Sequence, residues 1–263
     1  MLKKLLKYDL KNIFKFLSVF YILAIFFALL TRIFLHIENS FILHLIGQIC
    51  SGATISMIVS IFINVLMRNW VRFKNNLYGD EAYLMHTLPV TKKDLYQSKI
   101  ITALTSLLIS TLVITLTLLI AYYSKENITI LKKLLLPTVE AYHSTILKFI
   151  FIVILVLFLE FVNIQQVGYT GIILGHKKNN HKLLYSVFFG FGTYLLLQSI
   201  TLLALFLFGL FNSEIMNLFF TNEIVNLELL KMLMYMAIVT YTILIIITWG
   251  LNINFLNKGV NVD

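Results

Sequence analysis

Long runs of apolar residues alternate along this chain with short segments that hold most of its charge. A helix that crosses a bilayer needs about 20 apolar residues, and six runs reach that length. The predicted spans are residues 16–35, 41–67, 100–123, 146–174, 183–211 and 229–255. The pattern predicts an all-α polytopic membrane protein, in which residues 16–263 form one six-span transmembrane domain.

Composition supports this interpretation. The chain has 263 residues, of which 59% are hydrophobic and 13% are charged, whereas soluble domains carry roughly 25% charged residues. The formal net charge is +9. Because the lysines and arginines lie in the gaps between apolar runs, anionic lipid is the expected counterpart and nucleic acid is not. The single cysteine, Cys50, excludes an internal disulfide bond.

The distribution of lysine and arginine predicts the orientation of the spans. The segment before the first span, residues 68–99, the turn after the fourth span and the C-terminal tail together hold more of them than the intervening segments. Loops rich in lysine and arginine stay on the cytoplasmic side, so both termini are predicted to be cytoplasmic and residues 124–145 external. A cleaved signal peptide is the competing interpretation, but the first apolar run is too long and lacks a small-residue cleavage site. The expected location is the bacterial cell membrane.

Residues 1–15 read as an amphipathic interfacial helix. Leucines and aromatic residues occupy one broad face, and Asp9 falls inside that face. The opposite face carries Lys4, Lys7, Lys11 and Lys15. Such a helix lies in the headgroup layer with its lysines toward anionic lipid. Two interpretations stay open: a plain cytoplasmic-side anchor, or an elbow helix that also contacts a cytoplasmic partner.

The loop of residues 68–99 is the longest stretch that is unsuited to lipid. Gly79 precedes Asp80, a good N-cap residue, and Glu81 would lie in the first turn of a short helix. That helix is expected to stop before Pro89, because a residue that precedes proline is pushed out of helical geometry.

A second helix is predicted to begin at Thr91, with Asp94 three residues later completing a capping box. The first helix has barely two turns, too few to be stable alone in water, and therefore needs a partner. Residues that offer apolar contact are Tyr83, Leu84, Met85 and Leu88; residues that offer charge are Asp80, Glu81, Lys92 and Lys93.

Three polar side chains within the spans are candidates for lining a translocation path: Glu160, Asn163 and Asn64. A carboxyl group in the middle of a span usually faces protein or water. For Glu160 a path-lining or protonatable role and a structural hydrogen bond stay open as alternatives. Asn64 is more simply explained by a hydrogen bond to a neighbouring helix. Gly171 and Gly175 form a GxxxG pattern, which is typical of close helix packing.

The chain lacks the usual sequence signatures of catalysis. No GxxxxGK[ST] phosphate loop, GxSxG elbow or HExxH pair occurs. We therefore expect no enzyme activity, no catalytic residue, no metal site and no cofactor in this chain.

The run FKNNLYGDEAYLMHTLPVTKKDLYQSKI resembles the first cytoplasmic loop of type-2 ABC transporter permeases, in particular the bacterial peptide- and bacteriocin-export branch. The matching residues are Gly79, Asp80, Glu81, Tyr83, Leu84, Thr87, Leu88, Pro89, Ser98 and Lys99. Ala82 stands where glycine is frequent, and His86 where an aromatic residue is frequent. The resemblance rests on this loop; the rest of the likeness is the arrangement of spans.

The resemblance implies a permease that pairs with a second permease chain, as a homodimer or heterodimer, and binds two copies of a cytoplasmic ABC ATPase. ATP and Mg would be held by that ATPase. The loop would carry the coupling helix, with Gly79, Asp80, Glu81, Tyr83, Leu84, Leu88, Pro89 and Lys92 as coupling residues. The implied cargo is an amphipathic, antimicrobial or toxin-like peptide.

Other functions remain as alternatives at this point. The first is a membrane module that transports nothing, such as an immunity protein, a sensor or an assembly scaffold. A permease for multidrug or lipid-like cargo comes next, together with the capture subunit of a vitamin importer. The last of these would favour a polar external pocket over a charged cytoplasmic loop, which is the opposite of the distribution seen here.

Overall fold

The computed structural model describes residues 2–37, 40–141, 145–220 and 227–259. Within these ranges the chain forms helices and no strand. In chain order the helices are α1 (Leu2–Leu35), α2 (Phe41–Leu77), α3 (Ala82–Thr87), α4 (Lys92–Tyr122), α5 (Lys125–Ala141), α6 (Ile146–Gly175), α7 (Lys182–Gly209), α8 (Ser213–Phe220) and α9 (Leu227–Asn257).

Six of these helices, α1, α2, α4, α6, α7 and α9, are long and apolar enough to cross a membrane. They coincide with the six predicted spans, so the prediction of an all-α multi-pass membrane protein is confirmed. The 37 residues of α2 correspond to about 55 Å of helix, which exceeds a hydrocarbon core of about 30 Å. Its last turns therefore extend beyond the predicted end of the span at residue 67.

The separate interfacial helix at residues 1–15 is not confirmed, because α1 is continuous from Leu2 to Leu35. Its amphipathic character is nevertheless real. Asp9, Ile13 and Leu17 are buried, and the side chains of Lys4, Lys7, Lys11 and Lys15 are exposed. The sequence prediction placed a boundary between residues 15 and 16, and the structure has no break there.

The loop of residues 68–99 differs from the prediction at its beginning and agrees with it at its end. α2 occupies the loop as far as Leu77. The residue that precedes α3 is Glu81, without a side-chain cap, so the prediction of Asp80 as N-cap is wrong. Leu88 is extended before Pro89, with φ −66° and ψ 141°.

The prediction that Thr91 caps the start of α4 is confirmed. The Thr91 hydroxyl oxygen accepts a hydrogen bond from the backbone N–H of Asp94 at 3.1 Å, which satisfies one of the backbone donors that a helix leaves without partners. The same hydroxyl group lies 2.8 Å from the Asp94 carboxylate and donates to it. The carboxylate thus accepts from the Thr91 hydroxyl group, whereas in the predicted capping box it would accept from the Thr91 backbone N–H.

The chain divides into two compact units. The first consists of Met1–Asn76 and Glu81–Thr129. Its interior includes a cluster in which Ala24 of α1, Ile61 of α2 and Ile114 of α4 meet. A hydrogen bond links two of these helices: the hydroxyl oxygens of Tyr21 in α1 and Ser110 in α4 lie 2.7 Å apart.

The second unit consists of Leu77–Asp80 and Ile130–Asp263. Within it α6 contacts α7 and α9, and α7 contacts α8. The approach of α6 to α7 is very close at Gly171, where an added Cβ would lie 2.5 Å from the carbonyl oxygen of Ser186 and 2.7 Å from the Cα of Gly190. The packing role predicted for the GxxxG pattern is therefore confirmed at Gly171 and at Gly175, where an added Cβ would collide with Ser186.

Candidate functional site

A buried group of charges lies in the first unit, where α1, α2 and α4 meet. The Lys99 ammonium group donates to the Asp9 carboxylate at 2.6 Å. The other oxygen of the same carboxylate accepts from Nε of Arg72 at 3.1 Å. The side chains of Asp9 and Lys99 are 1% and 3% exposed, and that of Arg72 is 14% exposed. Each of these helices thus contributes one charge to the group.

The charge group continues to the residue that precedes α3. Lys99 also donates to the Asn76 side-chain oxygen at 2.8 Å, and Nη1 of Arg72 donates to the Glu81 carboxylate at 2.9 Å. The Asn76 amide donates to the second oxygen of Glu81. We call Asp9, Arg72, Asn76, Glu81 and Lys99 the charge network.

The two most buried charges of the network, Asp9 and Lys99, depend on each other. Removing a charge from water is unfavourable, and the cost is offset only when the charge is paired and its other hydrogen-bonding positions are filled. Here Asp9 has two cationic partners, and Lys99 bonds to one carboxylate and one amide oxygen. The loss of Asp9 or Lys99 would leave the other buried charge short of a partner.

α3 is attached to this network at its N-terminal end and exposes much of its remaining surface. Tyr83 and Leu84 are 70% and 73% exposed, and Leu88 is 38% exposed, whereas Ala82 is buried. α3 therefore exposes an apolar surface, while Glu81 connects the start of the helix to Arg72 and Asn76 of α2.

The other predicted coupling residues lie around α3. Asp80 and Pro89 are exposed, and Gly79 and Lys92 are partly exposed. Of the two neighbouring carboxylates, Glu81 therefore enters the network and Asp80 faces outward. The sequence prediction made Asp80 the N-cap residue and placed Glu81 in the first turn, and it counted both as coupling residues.

Tyr78 has a different environment, in the second unit. It is 1% exposed, and its ring centroid lies 4.4 Å from that of His176. Burial raises the pKa of the Tyr78 phenol above its ordinary value, so the hydroxyl group keeps its proton at physiological pH. Sequence reasoning missed this contact because nothing in the local pattern pairs a loop tyrosine with a histidine about 100 positions later.

The three residues that were predicted to line a translocation path belong to two different units. Glu160 and Asn163 line one pocket in the second unit. Asn64 belongs to the first unit, and its amide donates to the backbone oxygen of Ser60, one turn earlier in the same helix, at 2.8 Å. The bond of Asn64 lies within its own helix and is not the expected bond to a neighbouring helix.

Buried polar side chains form a row between α6 and α9. Gln166 donates to the backbone oxygen of Ile245 at 3.1 Å, and Thr170 donates to the Asn252 side-chain oxygen at 2.9 Å. Thr248 donates to the Gln166 side-chain oxygen at 3.3 Å. Such bonds hold apolar helices in register inside a membrane, so we interpret this row as structural.

The part of the chain that the structure describes contains no group of three or more His, Cys, Asp or Glu residues suited to a metal ion. Comparisons with known protein families, with curated proteins and with solved structures found no match to this chain. The functional argument therefore rests on the geometry of the chain and on the sequence of the loop.

Proposed function

We propose that this chain is the permease subunit of an ATP-driven exporter, coupled to a separate cytoplasmic ATPase through α3. The observation that carries the proposal is the combination of an exposed apolar helix with a buried ionic attachment at its base. Tyr83 and Leu84 are exposed on α3, and Glu81 bonds to Arg72 and Asn76 of α2.

This combination is suited to transmitting a displacement. α3 has six residues and is too short to be stable by itself, so its position is set by what it is attached to. A partner bound to Tyr83 and Leu84 would act on Glu81. Through the charge network, that action would reach α1, α2 and α4 together. A ligand that favours one position of α3 would thereby shift the population of states in the spans.

The resemblance of residues 79–99 to the coupling loop of type-2 ABC permeases supports the same function. It supplies the identity of the partner, two copies of an ATPase that hold ATP and Mg, and the pairing with a second permease chain. Peptide cargo follows from the branch that the loop resembles. In this proposal the chain itself hydrolyses nothing and holds no cofactor.

The decisive experiment measures the attachment of an ATPase to α3. The chain is co-expressed with the ABC ATPase encoded nearest to it, purified from membranes, and assayed for the bound ATPase and for ATP hydrolysis in nanodiscs. Replacing Leu84 with Asp should weaken the association about tenfold or more, because a charged group would have to be buried at the centre of an apolar contact.

The matched control is Tyr8→Asp, which places the same charge on another strongly exposed apolar residue of the first unit, 68% exposed. It should bind the ATPase as the parent chain does. If the parent chain recovers no ATPase, or if Leu84→Asp binds it normally, the coupling function is wrong and a membrane module that transports nothing becomes the better hypothesis.

A further inference from the structure

The second unit contains a carboxylate at the middle of a span, that of Glu160. Glu160 lies near the centre of α6, about 21 Å from its first residue at 1.5 Å per residue. The amide of Gln198 on α7 donates to it at 3.3 Å. Among the residues that the structure describes, no lysine, arginine or histidine forms an ion pair with Glu160 within 4 Å.

Aromatic and polar groups surround the carboxylate. The pocket beside Glu160 is bounded by α6, α7 and α9, is open on one side, and has a cavity volume of about 10 Å³, roughly the space of one water-sized group. The Tyr241 hydroxyl group is within hydrogen-bonding reach of the carboxylate. The remaining lining residues are Asn163, Tyr194, Thr201, Ile164, Val167, Leu197 and Leu244.

Asn163 adds a second acceptor to this pocket. Its side-chain nitrogen lies 3.3 Å from the Leu159 carbonyl oxygen and 3.4 Å from the Tyr241 carbonyl oxygen, which fixes the orientation of the amide. Its side-chain oxygen is buried and receives no hydrogen bond from the described residues. A buried acceptor without a donor is costly, so the pocket has one carboxylate and one amide oxygen that a donor would satisfy.

The size of the pocket limits the ligand. Whole drug-sized molecules occupy pockets of about 300–1,000 Å³, far more than the about 10 Å³ of this cavity. It has room for one group of roughly the size of a water molecule, such as an ammonium group. A cation with N–H donors matches the carboxylate and the amide oxygen, and tyrosine rings favour a positive charge. An alkyl chain on that cation would leave through the open side of the pocket.

We propose that this pocket binds a primary ammonium group, with its N–H donors shared between the Glu160 carboxylate and the Asn163 side-chain oxygen and its alkyl chain leaving through the open side of the pocket. The ligand class is an alkylamine or the lysine-like end of a larger amphipathic molecule. The site uses residues of the second unit alone and needs no ATPase. A test of this proposal is therefore independent of a test of the proposed coupling.

The test uses the full chain in nanodiscs of zwitterionic lipid, with radiolabelled n-hexylammonium as the probe and n-hexanol as its uncharged counterpart. Equilibrium dialysis measures saturable binding to the protein, corrected with empty nanodiscs. The parent chain should bind hexylammonium saturably and hexanol at least about tenfold more weakly. Glu160→Gln should lose at least about tenfold in hexylammonium affinity, since a hydrogen bond to a charged group is stronger than one between neutral groups.

Glu160→Gln retains an amide partner for Gln198, and its folding is checked by circular dichroism and by its elution as a single species. Leu157→Gln is the control, because it places the same side chain one turn away at a position that is 54% exposed; it should bind as the parent does. Equal binding of hexylammonium by Glu160→Gln, equal binding of hexanol and hexylammonium, or no saturable binding by the parent chain would each overturn the proposal.

Discussion

The ammonium group of Lys99 and the carboxylate of Asp9 lie 2.6 Å apart, 90 positions from one another in the sequence. Both side chains are buried. A buried pair stabilises the protein only when its other hydrogen-bonding positions also have partners. Here Arg72 donates to Asp9, and Asn76 accepts from Lys99. This pair therefore fixes α1 against α4 at the level where α3 begins.

Replacing Lys99 with Met should destabilise the protein substantially. The change leaves Asp9 with Arg72 as its one cationic partner and removes the donor to Asn76. The expected loss is about 3 kcal/mol, the lower end of the range for breaking a buried pair. It can be measured as the change in the free energy of unfolding when the protein in mixed micelles is titrated with a denaturing detergent.

Lys11→Met is the control for this change, because it removes an equally long cation from an exposed position of α1. It should change the free energy of unfolding by less than about 0.5 kcal/mol. The double variant Asp9→Asn, Lys99→Met should cost less than the sum of the two single variants, since the two residues interact. Additive costs would contradict direct coupling between them.

The structure separates Glu81 from Asp80, and variants of the two should differ in the same way. Glu81→Ala releases the base of α3 from Arg72 and Asn76, whereas Asp80→Ala removes an exposed carboxylate. Glu81 is 46% exposed, so its replacement should cost less than about 1 kcal/mol of global stability. Amide hydrogen exchange in residues 82–87 should nevertheless accelerate several-fold, because local opening no longer breaks those bonds.

Asp80→Ala should leave that exchange unchanged. The two variants should differ in the same way in the ATP hydrolysis that the chain stimulates in its partner: Glu81→Ala should lower it, and Asp80→Ala should not. If both variants accelerate exchange alike, Glu81 does not anchor α3. The measurement is hydrogen exchange followed by mass spectrometry, with the peptides of α5 as an internal reference.

The difference between these two carboxylates also marks the limit of sequence reasoning. The helix–turn–helix character of the loop followed from Pro89 and from the Thr91 capping box, which are local signals. The partner of Glu81 is set by the length of α2, whose ten residues beyond the predicted span bring Arg72 and Asn76 to α3. No local signal fixes how far an amphipathic helix continues past the bilayer. Asp9 likewise interrupts the apolar face of α1, and its partners Arg72 and Lys99 come from other helices.

The same limit applies to Glu160. The cost of a carboxyl group in mid-span made it a candidate from the sequence alone. Its companions Tyr194, Gln198 and Tyr241 come from two other helices, and the rotation of a uniformly apolar helix about its own axis cannot be inferred when its hydrophobicity has no preferred face.

Gly171 should tolerate no side chain. An added Cβ would lie 2.5 Å from the Ser186 carbonyl oxygen, so α6 and α7 would have to separate. Gly171→Ala should cost roughly 1–3 kcal/mol of stability. Gly192→Ala, on α7, is the matched control, because nothing lies within 4 Å of an added Cβ there. Thermal unfolding of the two variants in the same micelles compares them directly, and equal unfolding temperatures would contradict the close approach.

The orientation of the spans decides whether α3 can meet a cytoplasmic partner at all. Cys50 is the one cysteine of the chain, so a Cys50→Ala background allows single cysteines to be introduced at chosen positions. Leu84→Cys lies on α3, and Glu126→Cys lies at an exposed position near the start of α5, on the side predicted to be external.

A maleimide that cannot cross membranes should label Glu126→Cys in intact cells and Leu84→Cys only after the cells are opened. Both sites are exposed, so a difference in labelling reports the side of the membrane and not burial. The reverse result would place α3 outside the cell, where no ATP is hydrolysed, and would remove the basis for coupling to an ATPase while leaving the ammonium pocket of the second unit untouched.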